Sequence, residues 1–142
     1  MALRPAQVVT NTTPPSAELL AKIVQIARTD TTAFEAFVLP KGVVVAGAYV
    51  LGSVASDAGT SAIVDVGTNP GTSDEIVDSF DVKTSGKGYS AAGTAVGTAM
   101  GSQLTADTLY KAKYTESGTA STTGGPWLVK VEYYYPQSGQ SW

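Results

Sequence analysis

The chain has 142 residues, 43% of them hydrophobic and only 15% charged, with a net charge of −3 and neither histidine nor cysteine. That length fits a single domain and buries roughly two-thirds of the unfolded surface. The missing residue types exclude Ser-His and Cys-His catalysis, zinc centres built on His or Cys, and disulfides.

The negative charge argues against nucleic acid as the main partner. Charged residues usually make up about a quarter of a globular chain. So few here leave two options for the surface: hydroxyl groups keep it wet, or a partner covers it. The first residues lack an apolar leader, and no apolar run approaches the length of a membrane span, so neither secretion nor membrane insertion is expected. Asn11-Thr12-Thr13 matches a glycosylation sequon and reads as chance without a leader.

Residues 1–17 read as an extended arm, because Pro5, Pro14 and Pro15 remove backbone donors and favour extended conformations. Such an arm is either disordered or ordered by lying on a partner. "ELLAKIVQIAR" has both helical and strand spacing. Alternation of Val24, Ile26 and Arg28 favours a strand from about Lys22 to Arg28. Phe34 and Phe37 lead to a turn at Pro40-Lys41-Gly42. Val43 to Ala55 is the most apolar run, and Gly47 and Gly52 suit a bulged strand better than a helix. A turn at Asp57 to Thr60 and a strand carrying Val64 and Val66 complete an expected hairpin from Val43 to Val66.

The stretch "AIVDVGTNPGTSDEIVDSFDV" (62–82) holds Asp65, Asp74, Glu75, Asp78 and Asp81 and no basic residue. It predicts a strand, a Thr-Asn-Pro-Gly turn and a short helical turn capped by Ser73, with Ile76, Val77 and Phe80 buried. The five acids could form an irregular calcium site, since calcium takes oxygen ligands. An EF-hand is excluded by register: counting from Asp65, position 3 is Gly67, position 6 is Pro70 and position 12 is Ile76. Paired glycosidase carboxylates would need an aromatic-lined cleft, and both tryptophans lie far away in sequence.

Residues 85–102 are small and glycine-rich, with Gly93, Gly97 and Gly101 spaced as in a membrane packing face. Polar flanks make a loop or irregular strand the better reading. A phosphate loop fails at Lys87-Gly88, a dinucleotide loop fails after Gly88, and Ser90 has no histidine base. No catalytic residue, metal ligand or cofactor is assigned.

Tyr110, Ala112 and Tyr114 then alternate with Lys111 and Lys113. Val129, Val131, Tyr133 and Tyr135 alternate with Lys130 and Glu132. With the Gly-rich link between them, these strands predict a second hairpin. Residues 137–142 form a tail that is either frayed or docked through Trp142.

Acids alone occupy Gly42 to Val82, and lysines dominate from Lys83 to Lys130. Two readings stand: a molecular dipole that drives head-to-tail contact, or a solvated distribution. The expected architecture is all-β, an antiparallel sandwich over residues 18–136.

The segments "LPKGVVVAGAYVLGSVASDAGTSAIVDVGT" and "SDEIVDSFDV" (39–82) resemble a pattern in capsid decoration, or cement, proteins of tailed bacteriophages. There an apolar strand after "LP.G" leads to a turn, a strand ending "DVGT" and an acidic segment. The resemblance implies a jelly-roll-like sandwich on the outer surface of a virion, made in the host bacterial cytoplasm. It implies the phage major capsid protein as partner and a homo-oligomer, dimer or trimer, on symmetry axes of the shell.

On this reading the arm meets the capsid through Leu3, Arg4, Pro5, Val8, Val9, Pro14 and Pro15. Asp74, Glu75, Asp78, Tyr134 and Trp142 make oligomer or lattice contacts. The alternative is a head-fibre or tail module that binds receptor or glycan through Tyr133, Tyr134, Tyr135 and Trp142.

Overall fold

A computed structural model describes residues 18–84, 88–90 and 99–136 of the chain. Eight strands follow in order: β1 (Leu20–Ile26), β2 (Phe34–Leu39), β3 (Val44–Leu51), β4 (Ser61–Gly67), β5 (Val77–Asp81), β6 (Gly88–Ser90), β7 (Thr108–Ser117) and β8 (Trp127–Tyr134). They form two four-stranded antiparallel sheets, β1-β8-β3-β6 and β2-β7-β4-β5. No helix occurs among the described residues. The all-β sandwich expected from the sequence is the fold.

Alternation builds the core. Tyr110, Ala112 and Tyr114 of β7 are buried, as are Trp127, Val129, Val131 and Tyr133 of β8. The period-2 pattern sends these residues inward. The Tyr114 and Trp127 rings stack 5.4 Å apart at 9°, joining the two sheets, and Phe37 packs on Tyr110 at 5.6 Å. The outer faces carry polar residues together with exposed apolar ones, among them Ile23, Val38, Leu51 and Leu128. Lys130 bonds Glu132 at 3.1 Å and lies over the Tyr49 ring.

Both expected hairpins are overturned. β3 lies in one sheet and β4 in the other, and β7 and β8 are split likewise. Among the described residues, only β4 and β5 are consecutive strands paired in one sheet. Alternation fixes which face of a strand is buried, but not which strand lies beside it. The connections 52–60 and 118–126 are long enough to cross the roughly 10 Å between packed sheets. They are fastened there. Asp57 accepts from Thr122 N–H, Thr122 O–H and Thr123 N–H, and Ser56, Tyr114 and Ser121 share buried hydroxyl contacts.

β1 begins two residues earlier than expected and ends at Ile26. Arg28 sits in a turn where Asp30 N–H donates to the Ala27 carbonyl and Ala27 N–H to the Asp30 carboxylate. The turn at Pro40 to Gly42 is present, with Gly42 at φ 93°. The Gly-rich segment holds β6, which pairs with β3, while residues 91–98 lie outside the described ones. The acidic and lysine-rich regions are not held on opposite faces, which disfavours the dipole of the two readings. Lys113 stands opposite Asp65, and Lys111 opposite Glu35, on one outer face.

Candidate functional site

β4 and β5 build the acidic loop around two backbone devices. The first is a bulge. Val64 pairs with Phe80 and Val66 with Val77, so Asp78 and Ser79 together oppose Asp65. Ser79 adopts a left-handed φ of 55°, and its N–H donates to Asp65 Oδ1 at 2.7 Å. The second is Gly67, which ends β4. A methyl group there would strike the Ser73 carbonyl oxygen and the Asp74 backbone, so only glycine lets the loop fold back over the strand.

The expected helical turn at Ser73 is not formed. Ser73 bridges Asn69 instead, with Thr72 N–H and Ser73 N–H both donating to the Asn69 carbonyl. Gly71, at φ 91°, completes the tight turn after Pro70. Asp74 turns back to accept from Gly71 N–H at 2.8 Å. Glu75 accepts from Thr68 N–H and Thr68 O–H, at 2.7 and 2.6 Å. Local amide and hydroxyl donors draw these acids into the loop and away from a helix N-terminus.

The outcome is a trio. Carboxylate oxygens of Asp65, Asp74 and Asp78 lie within 4.8 Å of one another. Asp65 is almost wholly buried, at 1% exposure. Burial pushes its carboxyl up to about 6; Asp74 and Asp78 add to this, and the Ser79 N–H and Lys113 oppose it. Burial also raises Asp74, with Asp78 and Glu75 adding repulsion and the Gly71 N–H opposing.

Oxygen donors of this kind suit a hard cation such as calcium, which takes six to eight of them. One oxygen of each acid is already engaged, by Ser79 N–H, Gly71 N–H and Ser79 O–H. Ordering of the bulge and loop accounts for that arrangement. Of the five acids read as a calcium set, Glu75 and Asp81 serve other ends. Asp81 caps the turn at Lys83 and Thr84.

The residues expected to make oligomer or lattice contacts lie on different parts of the fold. Asp74 and Glu75 sit on the β4–β5 loop and Asp78 in β5, whereas Tyr134 lies on the outer face of the other sheet. Trp142 and the arm residues Leu3, Arg4, Pro5, Val8, Val9, Pro14 and Pro15 lie outside the described residues. The single aromatic face is overturned, because Tyr133 points into the core while its neighbour Tyr134 faces outward, and Tyr135, expected on the face of Tyr133, lies just past the end of β8 and is exposed. Consecutive residues of a strand face opposite ways. An open groove of 740 Å³ lies on the first sheet's outer face, lined by Gln25, Leu51, Ser53, Ala55, Pro126 and Leu128.

A raised carboxyl sets a sign for pH. The folded chain holds a proton on Asp65 more tightly than the unfolded chain, whose value is near 3.8. That contribution is full below about pH 3.8 and fades as pH rises through about 6. Asp65→Asn keeps an oxygen for Ser79 N–H and removes the charge. It should therefore raise stability at pH 7.5 by on the order of 1–2 kcal/mol. It should also flatten the melting temperature between pH 7 and 5. Thermal melts at fixed ionic strength read this directly, and a lower melting temperature for Asp65→Asn at pH 7.5 would contradict it.

No protein-family model matches the sequence, and no curated protein matches it. Among solved structures, the fold is similar to a chain of the cyanophage Pam1 capsid asymmetric unit. The TM-score is 0.53 at 19% identity, covering 84% of each chain. The likeness is one of fold: an all-β domain of this design occurs within a phage capsid assembly.

Proposed function

We propose that the chain is a structural protein of a phage virion that binds the outside of the capsid and cements neighbouring major capsid protein subunits. The observation that carries this is the fold likeness to a capsid-assembly chain over 84% of both lengths. The resemblance of residues 39–82 to decoration proteins supports it independently. The strand order, with six of seven connections passing between sheets, supports the jelly-roll reading.

The role is one of binding, with no catalytic step. Many equivalent attachments over a lattice let modest contacts add up, and whatever binds only the assembled shell stabilises it. The sandwich supplies a rigid body, and residues 1–17 supply the reach to a neighbouring subunit. Those residues span up to roughly 55 Å when extended.

Removal of residues 1–16 should abolish binding to capsid shells and leave the melting temperature of the sandwich unchanged. Co-sedimentation of the shortened chain with shells assembled from major capsid protein checks this. Undiminished binding would remove the arm from the account.

A further inference from the structure

The two sheets present four edges, and three are blunted. β6 spans three residues among the described ones, β2 shifts register between Glu35 and Phe37, and β5 is bulged opposite Asp65. β1 alone keeps an unbroken register over seven residues, from Leu20 opposite Tyr133 to Ile26 opposite Trp127. Among the described residues its other side pairs with no strand. A regular edge of this length is a template for another strand, and natural sheets usually disguise such an edge.

The residues along β1 indicate which strand fits. Glu18 stands just before the strand and Arg28 just after it, so the two ends carry opposite charges. An antiparallel copy of the same strand brings each acid to the other copy's base. With the two-fold axis at Ile23, Glu18 faces Arg28 of the second copy at both ends, and Leu20 faces Ile26. Ala21 faces Gln25, and Ile23 faces its own counterpart. Ile23, at the strand centre, is 62% exposed in the single chain and is free to meet a second copy.

Lys22 falls opposite Val24, where its stem lies along the apolar side chain and its ammonium reaches water. The Arg28 guanidinium gives one donor to the Ser121 carbonyl and keeps others for an incoming carboxylate.

We propose that two copies of this chain associate through β1 about a two-fold axis at Ile23, forming one continuous eight-stranded sheet. Isologous pairing uses the same patch on both partners and closes at the dimer, so no filament grows from it. The association needs no capsid, and it stands or falls separately from the virion reading.

Sedimentation velocity of the full chain over a range of micromolar concentrations should show a reversible dimer. Ile23→Lys sets like charges against each other at the axis and should raise the dissociation constant about tenfold or more. Glu18→Arg should weaken the dimer, and the double change Glu18→Arg with Arg28→Glu should restore it. Circular dichroism melts establish that each variant folds.

A parent chain that stays monomeric would overturn the proposal and leave the edge to residues 1–17 or to a strand of another protein. A dimer indifferent to both Ile23→Lys and Glu18→Arg would overturn it too, by placing the contact elsewhere. Capsid binding by a monomeric Ile23→Lys variant would leave the virion reading intact.

Discussion

Gly67→Ala should destabilise the chain by about 3–5 kcal/mol, a loss reserved for a few mechanisms such as core cavities and backbone collisions. Gly67 is buried at the end of β4, beneath the returning loop. A Cβ atom there meets the Ser73 carbonyl oxygen, the Asp74 Cα and the Glu75 carboxylate. Two of these are backbone, so no side-chain rotation relieves the collision. Moving the loop away breaks the Glu75 grip on Thr68 and the Ala99 N–H bond to the Glu75 carbonyl. It also uncovers Ile76, which is wholly buried.

Urea unfolding should show a lower midpoint with an unchanged slope, and hydrogen exchange should quicken first at residues 68–76. An alanine chain of unaltered stability would mean that the loop does not cross β4 as described.

Trp127→Ala should cost a similar amount, about 3–5 kcal/mol, by leaving a cavity at the centre of the core. The indole is fully buried and stacks on Tyr114, linking β8 of one sheet to β7 of the other. Tyr114 in turn carries the hydroxyl contacts that fasten residues 56 and 121. Loss of the indole therefore loosens both the sheet contact and the crossing loops.

Trp127→Phe should be milder, because it keeps an aromatic face on Tyr114 and removes a buried donor, Nε1, that has no partner among the described residues. A melting temperature lower by roughly 10 °C for alanine, and by less than half of that for phenylalanine, is the expected pattern. Equal losses would show that the stack contributes little beyond volume.

Much of the fold was legible in the sequence, and the two failed hairpins share one cause. The faces of β7 and β8 follow from alternation, and the turn at Gly42 follows from Pro-Lys-Gly. The failed hairpins both joined consecutive strands that face each other across the core. Local pattern carries no information on that choice, which is settled by packing of Trp127 on Tyr114 and by the Asp57 and Ser56 contacts.

The acidic stretch divides in the same way. Register excluded the EF-hand from sequence alone. The meeting of Asp65, Asp74 and Asp78 depends on a bulge at Asp78-Ser79 and on the crossing at Gly67, and residue spacing shows neither. The "DVGT" signal did point to Gly67, but as a motif and not as a steric requirement. The face of Tyr133 was readable from its alternation with Glu132. Grouping it with Tyr134 set that alternation aside, and Tyr135 is exposed because β8 ends before it.

Quantitative mass spectrometry of purified virions, with the chain's copy number measured against the major capsid protein, tests the central claim most directly. Cementing predicts a fixed ratio set by the capsid lattice, with copies distributed over the whole shell. A few copies per particle, confined to one vertex or to the tail, would contradict it.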